Sequence, residues 1–375
     1  MEKRLVRISG ALLDMESRIN DLQEDEIQTQ PTASDEVIGS INDMLRSGAA
    51  FGNAELAELG TEIARYSSLP EEYVRLFPSP QSALEKLART YLEQGAEAAI
   101  CTPADGAFEI FALGTGARIV PIRQDDPFDP QIEAVINHIG PRTRIAFIEN
   151  PNPITGAAFT EAELVFLLAY AEGTMIVVSE RFFEFGGLSV ADLVRRFPNL
   201  AVLRSISSEF GMGPLSLGYI LSDPINLEFI DRLYIREKGA EITFAAALAA
   251  LKQSAQMQEY VKSVIASNNL VARNLPELGF EISAPATDFL LVKVSDINVA
   301  MQLLRDEGIE QCAPVECENI RDYLKIKIDS TERAERLLMA LGRLSGRLAT
   351  GFNRNKSVDR MTLLQEAGRG AGRGK

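Results

Sequence analysis

Apolar residues recur along this chain at two spacings, and the two alternate. Between about residues 53 and 345, short apolar runs of strand type stand out: AAICT, ARIVPI, RIAFIEN, TMIVVSE, LAVLRSIS and LGYILS. Most are separated by stretches whose apolar residues fall three and four apart, the spacing of a helix with one buried face. AELAELGTEIARY is one such helix. SALEKLARTYLEQG is another, with Leu84, Leu87, Ala88 and Tyr91 on a single face. Buried strands spaced by helices predict right-handed βαβ units, and hence an α/β fold with a mostly parallel sheet covered on both faces.

A long helical stretch, FAAALAALKQSAQMQEYVKSVIASNNLVARNL, then leads into a different pattern. FLLVKV, GIEQCAP and YLKIKI read as strands, with NVAMQLLRDEG and TERAERLLMALGRL as helices between and after them, a smaller α+β domain. Ser34, just before a periodic run, predicts a helix cap. The pattern divides the chain into a helical arm and linker (1–45), a large domain (46–255), a small C-terminal domain (256–345) and a tail (346–375). There is no internal repeat.

Composition narrows the classes. A chain of 375 residues exceeds what one core usually organises, so two domains are expected. Its 46% apolar and 24% charged residues are those of an ordinary globular protein. No stretch approaches the roughly 18 uncharged apolar residues of a membrane helix. MEKRLVRISGALLDMESRIN has no apolar run leading to a cleavage site, so neither a signal peptide nor a membrane partner is expected, and a cytoplasmic location is. Cys101, Cys312 and Cys317 with the single His138 make no convincing zinc site and read as reduced thiols. His138 itself reads as a helix-end or surface residue, and any mechanism that needs two histidines is excluded.

The net charge of −15 argues against nucleic-acid binding by the body. The tail differs. From Arg343 to Lys375 it carries eight Lys/Arg against Asp359 and Glu366, and it ends in GRGAGRGK. That composition predicts a solvated tail, with docking on an acidic surface as the sharper reading.

Three motifs in order carry the chemistry: ENPNPITGAAFTEAEL, MIVVSERFFEF and FPNLAVLRSISSEFGMGPLSLGY. They resemble the NPNNPTG, VVDEAY and LRTFSKAFGLAGLRLGY patterns of the fold-type I class I/II aminotransferases, most closely the histidinol-phosphate aminotransferase branch. The resemblance covers residues 50–345 or so, without a gap inside any motif. It implies pyridoxal phosphate (PLP) chemistry: a lysine for the imine, a carboxylate for the pyridine nitrogen, and hydroxyls, amides and an arginine for the phosphate. It also implies an arginine that grips the substrate carboxylate.

Nearly every implied position is changed here. The lysine falls on Ser208 and the aspartate on Ser179; neither can do the original chemistry. The tyrosine of VVDEAY is Phe182, the asparagine before PTG is Pro153, and the phosphate arginine is Ser216. Phe108 is a further implied cofactor position, and Ser205 and Ser207 keep hydroxyls a phosphate could touch. The phosphate loop reads FPSPQSAL, where Pro78 and Pro80 remove amide donors. The partner-reaching tyrosine is Phe51, and the substrate arginine is Lys325. Asn150, Pro151, Thr155, Gly156, Glu180, Phe210, Gly211, Gly218 and Tyr219 keep the scaffold.

The reading that follows is a non-catalytic member of the family, a pseudoenzyme serving as a binding or assembly partner, with no cofactor expected. The resemblance implies a homodimer, or a heterodimer with an active paralogue. Two alternatives stand beside it. One is a PLP enzyme with a displaced lysine, for which Lys238 is the nearest candidate. The other is a cofactor-free ligand site lined by Glu180, Arg181, Ser208 and Glu209, whose alternating charges also read as a structural ion pair. In each case Ser179 should close a strand and Ser208 should lie in a loop beside it, facing one cleft.

Overall fold

The six apolar runs all form strands of one sheet. The computed structural model describes residues 31–47, 51–186, 189–232, 239–283, 285–315 and 317–345. The first part of the arm, Lys238 and the basic tail lie outside these residues. The sheet comprises β1 (Val74–Phe77), β2 (Glu97–Thr102), β3 (Arg118–Arg123), β4 (Thr143–Glu149), β5 (Met175–Ser179), β6 (Leu200–Ile206) and β7 (Leu217–Ser222), in the order β1-β7-β6-β5-β4-β2-β3. The pairs β3/β2, β2/β4, β4/β5 and β5/β6 are parallel, while β7 runs antiparallel to both β6 and β1. A mostly parallel sheet was the expectation; β1, too short to stand out in the sequence, closes its edge.

Alternation along the strands decides which helix layer each residue meets. Ala146, Ile148, Ile176, Val178 and Val202 face one layer, and Ile145, Phe147, Val177, Ala201 and Leu203 face the other. The helices in chain order are α1 (Asp35–Ser47), α2 (Asn53–Tyr66), α3 (Pro80–Tyr91), α4 (Ala107–Gly114), α5 (Ile132–Asn137) and α6 (Glu161–Tyr170). After them come α7 (Pro224–Asp231), α8 (Ala240–Lys252), α9 (Ser254–Asn274), α10 (Ile297–Asp306) and α11 (Thr331–Leu344). The first layer includes Leu59 and Ile63 of α2, Leu164 and Leu167 of α6, and Phe244 of α8. The second includes Leu84 and Leu87 of α3, Ala112 of α4, and Leu227 and Ile230 of α7. The predicted cap at Ser34 is present, its Oγ accepting from the Val37 amide at 3.2 Å. No helix among the described residues is long and apolar enough to cross a membrane.

The long helical stretch is two helices, broken at Gln253 between α8 and α9. The second leads into a four-stranded antiparallel sheet, β8 (Ile282–Ser283), β9 (Phe289–Lys293), β10 (Cys312–Pro314) and β11 (Tyr323–Lys327), in the order β10-β11-β9-β8. Leu290, Val292, Leu324 and Ile326 pack on α10 and α11 as a core of their own. Phe289, Leu291 and Tyr323, on the opposite face, join the core of the large domain. This second face carries the small domain's side of the cleft.

One close backbone approach fixes where the start of α3 meets the sheet. Gly218 of β7 pairs with Phe77 of β1, and a Cβ there would lie 2.5 Å from the Ser79 carbonyl oxygen and 2.7 Å from the Pro80 nitrogen. Only glycine lets the start of α3 come so near the sheet. Gly218→Ala should therefore force the backbone apart and cost about 1–3 kcal/mol. Gly60→Ala, inside α2 with open space around its Cβ position, should instead stabilise by about 0.5–1 kcal/mol. Denaturant melts of both variants check this, and a neutral Gly218→Ala would contradict the described packing.

Candidate ligand cleft

The carboxyl ends of β4, β5 and β6 open onto a cleft of about 420 Å³. Ligands in open α/β sheets bind at such strand ends, because the helices that follow leave a crevice there. Ser179 is the last residue of β5, and Ser208 begins the single helical turn Ser208–Phe210 after the neighbouring β6. Both line the cleft, as the motif alignment requires, together with Phe182, Ser205, Ser207 and Ser216. Arg181 and Glu209 line it too. Ser79 caps α3 from its rim, its Oγ accepting from the Ser82 amide at 3.1 Å, and Pro80 takes the first helical position.

Other positions lie elsewhere. Phe108, expected at the site, is turned into the core and stacks on Phe147 with ring centroids 4.5 Å apart. Pro153 and Lys325 do not line the cleft; they meet each other, Lys325 Nζ donating to the Pro153 carbonyl oxygen at 2.9 Å. Phe51 is buried against Phe244 of its own chain at 6.1 Å. Glu180 points away from the cleft and forms a buried ion pair with Arg204 at 2.8 Å. It also accepts from the Val190 amide at 2.7 Å, so its role is structural. His138 sits exposed at the end of α5, its Nδ1 2.7 Å from the Ala134 carbonyl oxygen.

The cleft's charged groups came mostly unannounced. Asp105, Glu149, Asp288 and Lys327 all line it. Glu149 ends β4 and accepts from the Asp105 amide at 3.2 Å. Burial pushes its carboxyl well above the ordinary range and the Asp105 charge adds to this, while Arg181 draws it back. Burial disfavours charge on Asp288 as well. There Lys327, 2.7 Å away, with Lys325 and Arg181 behind it, wins and holds the carboxyl below its usual range. Glu209 is also pushed up by burial, although it accepts from the Ser207 amide at 3.2 Å and the Ser207 hydroxyl at 2.9 Å. One signal was available: Glu149 and Asp288 are acids at the very ends of otherwise apolar strand segments.

The model for "Aminotransferase class I and II" matches residues 18–342, and the chain belongs to that family. It is 29% identical to a histidinol-phosphate aminotransferase of Anaeromyxobacter over 296 residues, covering 77% of this chain and 81% of that one. It is 27% identical to a dihydroxyacetone phosphate transaminase of Campylobacter jejuni over 281 residues, 73% and 77% of the two chains. Among solved structures, the histidinol-phosphate aminotransferase of Clostridium acetobutylicum superposes with a TM-score of 0.72 at 19% identity, over 84% of this chain and 96% of that one. That of Sinorhizobium meliloti in complex with pyridoxal-5'-phosphate gives 0.70 at 18% identity, over 84% and 88%. The shared fold is the fold-type I transferase fold, with its mostly parallel sheet and small second domain.

The residues in the cleft do not fit that cofactor. Two donors next to Ser208, the Ser207 amide and hydroxyl, are taken by the Glu209 carboxyl group. A phosphate there would face this acid with Ser216 in place of a cation, and Pro80 offers no amide at the start of α3. Lys327 is the lysine lining the cleft among the described residues, and it is held by Asp288.

A half-buried carboxyl interacts electrostatically with Glu209. Glu184 accepts from the Tyr66 hydroxyl at 2.8 Å, and burial, then the Glu209 charge, push it up from an ordinary 4.5 to about 8. The folded state therefore holds a proton that the unfolded chain releases near 4.5. The stability this contributes is complete below that pH and is lost as pH rises through about 8. Glu184→Gln, which needs no proton, should melt near the wild-type temperature at pH 5 and clearly above it at pH 8.5. An advantage that stays constant with pH would contradict this.

Proposed function

We propose that this member of the family is a non-catalytic aminotransferase homologue, a pseudoenzyme that acts as a binding or assembly partner without PLP. One observation carries the reading: the protein's own carboxylates and their counter-charges line the cleft where cofactor and substrate would be held. A family transferase needs an amine, a pyridinium partner and an anion cradle in one place. Here those positions are Ser208, Ser179 and Ser216, none of which can be charged at neutral pH. Losing one such group is compatible with residual chemistry. Losing all three leaves neither a covalent anchor nor an electron sink. The homodimer implied by the resemblance is kept in this proposal, as is a cytoplasmic location.

The test begins with mass in solution by light scattering, where a dimer is expected and a monomer would remove self-assembly from the proposal. The pure protein, incubated with PLP and a panel of amino acids, should form no pyridoxamine phosphate. Ser208→Lys alone should stay inactive, because an amine in an unoriented site forgoes several kcal/mol of positioning. Family-level turnover by Ser208→Lys would show that the other substitutions matter little. Turnover by the wild type, abolished by Lys238→Ala, would carry the displaced-lysine reading instead.

A further inference from the structure

Three positions that the resemblance assigns to ligand contact tie the two domains together. Lys325, on β11, donates its Nζ to the Pro153 carbonyl oxygen at 2.9 Å. The same ammonium stands 4.4 Å from the ring centroid of Phe289 on β9. Phe289 meets the ring of Phe182 edge-on, centroids 5.7 Å apart at 75°. Pro153 and Phe182 belong to the segments following β4 and β5 of the large domain. The contacts thus run unbroken from one domain to the other.

A separate contact lies on the same turn. Gly156 has φ +73°, and a Cβ there would fall 2.1 Å from Pro285, in the segment leading to β9. The turn Asn150–Gly156 therefore touches the small domain at two points, through a carbonyl and through a glycine.

We propose that Pro153, Phe182 and Lys325 form a latch that keeps the small domain closed on the large one in the absence of any ligand. The residue types suit the task. Proline at 153 contributes only a carbonyl, with no side-chain donor to compete. Lysine presents a point charge that can donate to a carbonyl while resting on a ring face, whereas a guanidinium fork suits a planar pair of acceptors. Phe182 and Phe289 are both buried, and a phenylalanine at 182 leaves no hydroxyl stranded in their contact. Groups that could have answered a ligand now answer each other.

Hydrogen–deuterium exchange on the full chain, without added ligand, tests the latch. In Lys325→Met, amides of residues 150–157 and 285–289 should exchange about tenfold faster than in the wild type, the loss expected when a charged hydrogen bond that limits local opening is removed. Lys293→Met is the control, since Lys293 pairs with Glu281 and Asp322 inside the small domain. It should leave those amides at wild-type rates. Equal rates in wild type and Lys325→Met, or equal acceleration by Lys293→Met, would overturn the latch. Should Lys325→Met not fold, Phe182→Leu takes its place: faster exchange of the same amides supports the latch, and wild-type rates overturn it. The outcome is separable from the functional reading, because turnover in a protein with protected amides would refute the pseudoenzyme and leave the latch standing.

Discussion

Charge removed from water must be neutralised or met by opposite charge, and the cleft is built around that requirement. Glu149 meets it through burial and the neighbouring Asp105 charge, which favour its neutral form. Asp288 meets it with Lys327, close enough to stay ionised although buried. The Arg181 charge is felt by both Glu149 and Asp288, which links the strand ends of the large domain to the small-domain sheet. Beside them Glu180 and Arg204 form a buried pair, with the guanidinium 3.7 Å from the Phe183 ring centroid. Breaking one such buried pair costs about 3–5 kcal/mol, so these groups are poorly placed to release one another for a ligand.

The fold can persist under the proposed loss of the family's chemical groups. The sheet needs its alternating apolar faces, Gly218 against the start of α3, and Glu180 to hold Arg204. None of these depends on a cofactor. Ser179, Ser208 and Ser216 are small, and each occupies the end of a strand or a loop beside one without disturbing its backbone pattern. Pairing Glu180 with Arg204 and Asp288 with Lys327 lowers the cost of burying these charges when nothing is bound.

Local pattern made the architecture legible. The strands from β2 to β7, the capped start of α1 and the amphipathic α11 each announce themselves within a dozen residues or so. The break at Gln253 does not, because apolar spacing continues across it. The cleft was half legible. Ser179 and Ser208 follow from motif spacing, since each ends or follows a strand. Phe108 did not go to the cleft because its helix turns it toward Phe147, a choice made by the sheet's second face. Asp288 and Lys327 pair across β9 and β11, and the Lys325 contact with Pro153 joins segments far apart in sequence. Such long-range partners are set by tertiary packing and leave little local trace.

The central claim is that the cleft does not take up PLP, and ligand-linked stability addresses it most directly. A ligand that binds only the folded state at a hundred times its dissociation constant adds about 2.7 kcal/mol. For a protein of this size that would raise the melting temperature by several degrees. The measurement is the melting temperature of the purified full chain across a PLP titration into the millimolar range, with absorbance followed in the same samples. The account predicts no shift beyond about a degree at any PLP concentration. A saturable rise of several degrees, accompanied by an absorbance band of bound cofactor, would contradict it.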